Sequence, residues 1–296
     1  MDSLSRPIII LGSPRSGTTL LGNLLSEHPD LTYAEEPRLV WRRGNDQGSD
    51  CFRPEHARPE VVRGIRSAFD EQVRAGRGSR LLEKTPSNAL RVGFVDRVLP
   101  DAIYVHVIRN GFDAALSIRA YTERHGGGVP SRGRIVQRLR EARPSQIPHY
   151  AGEFLRRVTP DWVPGRRGPL PWGPRLPGMS ALAAELTPLQ LAALQWRWCV
   201  EAAAVAGRDI GSDRFLTLRL EDFDRDRLLA ILEHCGLDAH PAVLERFATD
   251  FRPDDPTARS SRADPAAFDE IRQMVEPTMA WLEREAPNDR REDASK

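Results

Sequence analysis

Residues 10–21 read ILGSPRSGTTLL. An apolar run leads into Gly12, and Gly17 closes a turn five residues later. Two threonines and two leucines follow. A glycine-bounded loop between a strand and a helix points backbone N–H groups at an anion, and the helix adds its positive N-terminal dipole. The nucleoside-triphosphate version of this loop is G-x-x-x-x-G-K-[ST]. Here Thr18 stands at the lysine position, and a cation, Arg15, sits inside the loop instead.

Working outward, PIIILG (residues 7–12) reads as a buried parallel strand. Leucines 20, 21, 24 and 25 share one face of a helix expected from Gly17 to His28, where Pro29 stops it and His28 caps it. LLEKTP (81–86) reads as a short strand entering a loop, with Ser87 or Asn88 capping a helix over 89–99. AIYVHVIR (102–109) is a second buried strand, followed by a helix over 112–124. A long helix begins near Pro188, with Trp196 and Trp198 expected in the core. RFLTLRLEDF is a further strand. Asp224 caps the helix after it, Gly236 stops that helix, and a last helix spans 265–284. Strands alternating with helices predict an α/β domain with a central parallel sheet, whose ligands sit at the carboxyl ends of the strands.

Length and composition set the outer bounds. A chain of 296 residues suits one large domain carrying a lid. A net charge of +1 offers no field for nucleic acid or a membrane surface, so neither is an expected partner. Cys51, Cys199 and Cys235 show no metal or disulfide spacing, which fits a reducing compartment. The apolar run Ile8–Leu11 is too short for a signal peptide or membrane span. A cytoplasmic protein is expected. Residues 125–187, rich in Pro, Gly and Arg, break the pattern. We expect a single domain over 1–296 with 125–187 as an irregular inserted lid or acceptor-binding segment. Trp162 and Trp172 favour a surface that orders around a substrate over a floppy linker.

The missing lysine constrains the chemistry. A triphosphatase needs a strand ending in a metal-binding aspartate. Here AIYVHVIRN ends in Arg109 and Asn110, so a cation stands where that carboxylate belongs. The loop suits an anion bound without Mg²⁺, and no metal site is expected.

Three separated segments together resemble the sulfotransferase family, enzymes that transfer the sulfonate of 3′-phosphoadenosine-5′-phosphosulfate (PAPS). GSPRSGTTLL looks like the 5′-phosphosulfate loop. VIRNGFDAALS looks like the 3′-phosphate motif, with an arginine at the strand end and a serine eight residues on. LEKTP looks like the segment supplying a second active-site cation. The stretch GSPRSGTTLLGNLLSEHPDLTYAEEPRL is especially similar to tyrosylprotein sulfotransferases and their bacterial relatives. The resemblance implies a P-loop-like three-layer sandwich. It implies a donor site of Pro14, Arg15, Ser16, Gly17, Thr18, Thr19, Arg109 and Ser117, with Arg262 closing from a basic C-terminal loop that also holds Arg259 and Ser261.

By the same resemblance Arg15 and Lys84 stabilise the departing adenosine 3′,5′-bisphosphate. Glu36, rather than its neighbour Glu35, is the general base. His106, mid-strand, reads as a core residue, and His125 as a weak lid candidate for the base. The family's tyrosine before an acidic pair is absent, because Leu220 precedes EDF. The expected reaction is transfer to a hydroxyl of a small-molecule acceptor. The rivals are an ATP-dependent small-molecule kinase and a non-catalytic nucleotide-binding or interaction protein.

Overall fold

The computed structural model describes residues 4–46, 48–125, 136–137, 141–148, 150–152, 171–251 and 265–285. Five parallel strands form one sheet: β1 (Ile8–Gly12), β2 (Leu31–Glu35), β3 (Arg80–Lys84), β4 (Ile103–Ile108) and β5 (Phe215–Arg219), in the order β2-β3-β1-β4-β5. The continuous apolar runs follow from burial on both faces. Every residue of β1 and of β4 is buried.

Ten described helices surround the sheet. They are α1 (Thr18–Leu25), α2 (Arg38–Trp41), α3 (Pro59–Ala75), α4 (Val92–Val98), α5 (Gly111–His125), α6 (Met179–Glu185), α7 (Pro188–Ile210), α8 (Arg225–His234), α9 (Pro241–Asp250) and α10 (Pro265–Glu285). Side chains alternate across a strand, so Ile9, Leu11 and Leu81 pack with α3, α4 and part of α7 on one face. Ile8, Ile10, Leu82 and Val105 pack with α1, α8 and α9 on the other. A third cluster joins α5, α7 and α10. The outcome is the expected three-layer α/β sandwich.

Several local expectations need correction. The helix expected to run to His28 ends at Leu25. The C-cap is Ser26, not His28, whose side chain is buried: its Nε2 is 2.9 Å from Asp238 Oδ1, and its Nδ1 accepts from the Asp30 N–H at 3.3 Å. The helix expected over 89–99 splits into a 3₁₀ turn, Pro86–Leu90, and α4. Neither Ser87 nor Asn88 caps it, because the Asn88 side chain is committed to Glu83 and Arg91. Trp196 is buried but Trp198 is 39% exposed, since two positions along a helix turn a side chain to the opposite face. The strand β2 and the helices α2, α3 and α9 went unassigned in the sequence, and α6 lies inside the segment expected to be irregular.

Two caps fall where expected. The Asp224 side chain accepts from the Arg227 N–H. Gly236, at φ 65°, ends α8 with Leu237 N–H bonded to Leu232 O at 2.8 Å and Gly236 N–H to Glu233 O at 2.8 Å.

Candidate active site

The loop after β1 is held from both sides. Ser13 and Ser16 hydroxyls lie 2.5 Å apart beneath it, and the Ser13 hydroxyl donates to the Pro14 carbonyl at 3.3 Å. Gly17, at φ 86°, precedes α1 with no side-chain cap, so the helix presents its first N–H groups to the loop. A Cβ at Gly17 would lie 2.6 Å from Leu220 Cδ1. The residue standing in for the family's tyrosine therefore buttresses the loop.

Three non-glycine residues have positive φ among the described residues: Arg6, Arg15 and Glu36. Two of them, Arg15 at 65° and Glu36 at 51°, are the expected loop cation and base. Left-handed backbone at a side-chain-bearing residue costs roughly 1–3 kcal/mol and persists only where the surroundings enforce it. For Arg15 the enforcement is visible. Its carbonyl accepts from Arg109 Nη1 at 3.0 Å, and its Nε donates to Ser117 Oγ at 3.3 Å. Its guanidinium lies over the Tyr121 ring, 5.4 Å from the centroid. Ser117, expected to meet a 3′-phosphate, thus also contacts the loop cation. Tyr121 is a neighbour that sequence reading missed, one turn of α5 further on.

Arg109 is itself anchored, because Trp196 Nε1 donates to its carbonyl at 3.0 Å. The next residue turns the chain. Asn110 Oδ1 accepts from Phe112 N at 3.0 Å and Asp113 N at 3.4 Å, capping α5. Glu221 Oε1 accepts from Asn110 N at 2.7 Å, tying the turn to the end of β5.

The second centre is Lys84, the last residue of β3 and wholly buried. Its Nζ donates to Thr19 Oγ1 at 3.1 Å, Glu36 Oε1 at 3.0 Å and Glu35 Oε1 at 3.4 Å. A lysine has three protons to donate, and all three are placed. Glu36 Oε2 lies 3.3 Å from Arg38 Nη2. The Glu36 N–H continues the ladder by donating to Lys84 O at 2.8 Å. Both glutamates meet the lysine, so contact alone does not separate them. Glu36 differs from Glu35 in its left-handed backbone and in its contact with Arg38.

His106 takes no part in this cluster. It is wholly buried against Phe215, and burial pushes its pKa down to about 3. Arg262, Arg259, Ser261 and the His125 side chain lie outside the described residues.

Loop, flanking cations and carboxylate stand at the carboxyl ends of β1, β2, β3 and β4, the ligand edge of a parallel α/β sheet. The chain belongs to the sulfotransferase family, whose sequence profile matches residues 7–162, just over half of its length. It is 32% identical over 127 residues to the nodulation protein NoeE of Sinorhizobium fredii, covering 38% of this chain and 30% of that protein. It is 30% identical over 132 residues to a putative protein-tyrosine sulfotransferase of Caenorhabditis briggsae, covering 42% of this chain and 45% of the relative. The matched segment is thus less than half the length of these relatives. Among solved structures, a sulfotransferase from Alicyclobacillus acidocaldarius superposes with a TM-score of 0.51 at 18% identity, over 95% of both chains. One from Mycobacterium avium gives 0.52 at 17% identity, over 95% of this chain and 77% of that one. At such identities these two speak for the fold alone. Among the described residues, no helix is long and apolar enough to cross a membrane.

Proposed function

We propose that the protein transfers the sulfonate of PAPS to a hydroxyl of a small-molecule acceptor and releases adenosine 3′,5′-bisphosphate. The observation that carries this reading is the position of Lys84 Nζ. It is buried between the loop threonine Thr19, at 3.1 Å, and the carboxylate of Glu36, at 3.0 Å. One cation thus joins the anion-binding loop to a carboxylate able to take a proton from an alcohol.

The donor set fits PAPS. Pro14 to Thr19 and the first turn of α1 would hold the 5′-phosphosulfate, and Arg109 with Ser117 the 3′-phosphate. Arg15 and Lys84 would stabilise the negative charge that grows on the leaving group. In the transfer, the acceptor oxygen forms a bond to sulfur as the bridging sulfur–oxygen bond breaks. The acceptor proton passes to Glu36, and the electron pair stays on the phosphate oxygen of the leaving bisphosphate. Fixed cations and alignment supply most of what such a charged group transfer needs. Neither step requires a divalent ion.

A tyrosine hydroxyl is the second reading of the acceptor, because relatives carry the name protein-tyrosine sulfotransferase. A carboxylate base serves either hydroxyl. We further propose a single domain over 1–296 in which 125–187 forms part of the acceptor site, in a cytoplasmic protein.

The test is a thermal-shift titration with adenosine 3′,5′-bisphosphate against ATP plus Mg²⁺, on wild type and Arg109→Ala. Sulfonate transfer from ³⁵S-labelled PAPS to a simple phenol, a sugar and a tyrosyl peptide is measured alongside. Ligand at a hundred times its Kd stabilises by about 2.7 kcal/mol. Stabilisation by the bisphosphate alone, weakened in Arg109→Ala, supports the donor site. Stabilisation only by ATP with Mg²⁺ refutes it in favour of a kinase. Label on the peptide alone overturns the small-molecule acceptor.

A further inference from the structure

Beneath Lys84, on the opposite face of β3, lies a carboxylate that the proposed chemistry does not use. Glu83 is wholly buried. Its Oε1 accepts from Trp41 Nε1 at 2.8 Å and from Thr85 Oγ1 at 2.5 Å, and its Oε2 accepts from Asn88 Nδ2 at 2.9 Å. Asn88 Oδ1 in turn accepts from Arg91 Nε at 2.8 Å. Arg91 Nη1 reaches Asp50 Oδ1 at 3.5 Å, and Asp50 also pairs with Arg42 Nη1 at 2.6 Å. Among the described residues, every hydrogen bond that Glu83 accepts comes from a neutral donor.

This is an expensive way to fill a core. A buried carboxylate without a directly bonded cation is disfavoured, and burial pushes the Glu83 carboxyl up to about 7 despite its three donors. The position of the partners suggests what the carboxylate does. Thr85 follows Lys84 directly. Trp41 closes α2, the short helix that begins two residues after Glu36. Glu83 is thus the side-chain link between the strand carrying the cation and the helix following the base. Glu36 holds a left-handed backbone, at φ 51°, and depends on its surroundings to stay there.

We propose that Glu83 is a positioning residue for sulfonate transfer: by binding Trp41 and Thr85 on one oxygen, it fixes the register between Glu36 and Lys84. This inference rests on the reading that those two residues act on the acceptor and the leaving group. Displacing either by a fraction of an ångström lowers turnover without removing a donor contact.

The test follows from the hydrogen-bond pattern. In Glu83→Gln an NH₂ turned toward Asn88 meets another NH₂, donor against donor, and turning the amide over to relieve that clash aims the NH₂ at Trp41 Nε1 and breaks the bonds that fix the register. Adding Asn88→Asp restores an acceptor there and keeps one for Arg91 Nε. We expect Glu83→Gln to lower kcat roughly ten- to hundredfold, the scale of small misplacements at a reacting centre. The KM for PAPS and the Kd for adenosine 3′,5′-bisphosphate should stay within about twofold. The double variant should recover most of the lost kcat. A merely structural carboxylate would instead move Tm and bisphosphate affinity together. Wild-type kcat in Glu83→Gln, or a folded double variant that recovers nothing, overturns the proposal. If Glu83→Gln does not fold, Trp41→Phe removes one donor and leaves Glu83 bonded to Thr85 and Asn88, and an unchanged kcat there overturns it equally. Lys84→Met is measured beside them. Wild-type kcat in that variant removes the reading beneath the inference. A loss in Lys84→Met with none in Glu83→Gln removes the inference alone.

Discussion

Replacing His106 with leucine is predicted to change how stability depends on pH, and the size of the effect can be worked from the structure. His106 sits mid-strand in β4, wholly buried, with both ring nitrogens lacking a hydrogen-bond partner among the described residues. Burial lowers its pKa from 6.5 to about 3. Between those values the unfolded chain binds a proton that the native ring refuses, so this group's contribution is intact above pH 6.5 and is lost as pH falls toward 3. The slope is about 1.4 kcal/mol per pH unit, so moving from pH 7 to pH 5 costs about 2 kcal/mol through this residue. Glu83 works in the opposite sense over much of the same range. Its pKa is raised from 4.5 to about 7, so its contribution is intact below 4.5 and lost as pH rises through 7. Going from pH 7 to pH 5 returns about 2 kcal/mol through Glu83, and the two nearly cancel. His106→Leu removes one side of this balance. Relative to wild type, its Tm should shift toward greater stability by roughly 4–6 °C on going from pH 7 to pH 5. Its stability at pH 7 should not fall, because two unpartnered buried nitrogens each cost about 1–3 kcal/mol and are removed. Calorimetric melts of both proteins at the two pH values decide it. Parallel pH profiles would refute the reasoning, since the ring would then have to be hydrated or paired. The comparison also separates acid unfolding from protonation of a catalytic base in any pH–rate profile.

Four further outcomes are expected. Lys84→Met should cost roughly a hundredfold in turnover, the scale for removing one transition-state donor, checked by steady-state kinetics. Gly17→Ala combines a disfavoured φ of 86° with a Cβ 2.6 Å from Leu220, so it should lower Tm and abolish stabilisation by the bisphosphate. The Tyr33 hydroxyl is buried with no hydrogen-bond partner among the described residues, and burial raises its pKa, so Tyr33→Phe should be neutral or stabilising by up to about 1–3 kcal/mol in urea melts. Arg15→Ala and Arg15→Gly should both lose turnover. Only the glycine accepts φ 65° without strain, so it should be the more stable by about 1 kcal/mol.

The central sheet was legible because its strands are buried on both faces and read as unbroken apolar runs. IIILG and IYVHVI needed no partner to be recognised. By contrast, β2 has the sequence LTYAE, whose polar residues mask a strand at the sheet edge. Nothing local marks it until β3 lies alongside. The amphipathic α3, with Val61, Ile65, Phe69 and Val73 on its buried side, carried a readable period that went unused. At the site, Arg15, Lys84, Arg109 and Glu36 were legible through motif resemblance. What was not legible was their company. Tyr121 under Arg15, Trp196 on the Arg109 carbonyl and Glu221 on Asn110 come from elements far away in sequence. No spacing rule connects Trp196 or Glu221 to the motifs, and Tyr121 follows Ser117 by one helical turn that went unused.

The sheet order explains why these residues converge. β1 is central, so the loop at its end has β3 on one side and β4 on the other. Ile10 pairs with Lys84 and Gly12 with Val107, so Lys84 ends its strand two residues below the loop's first glycine and Arg109 begins two residues beyond that glycine's partner. One cation therefore rises beneath the loop from the β3 side, while the other closes over it from the β4 side and bonds the Arg15 carbonyl at 3.0 Å. Glu36 reaches the same place because β2 is the next strand out, with Glu35 paired to Lys84. A parallel sheet delivers every strand end to one edge, so four short segments that are remote in sequence become neighbours without any long-range motif. The positive φ at Arg15 and Glu36 then turns their side chains toward the shared space, and relieving that strain would raise stability at the expense of the geometry that the proposed transfer needs.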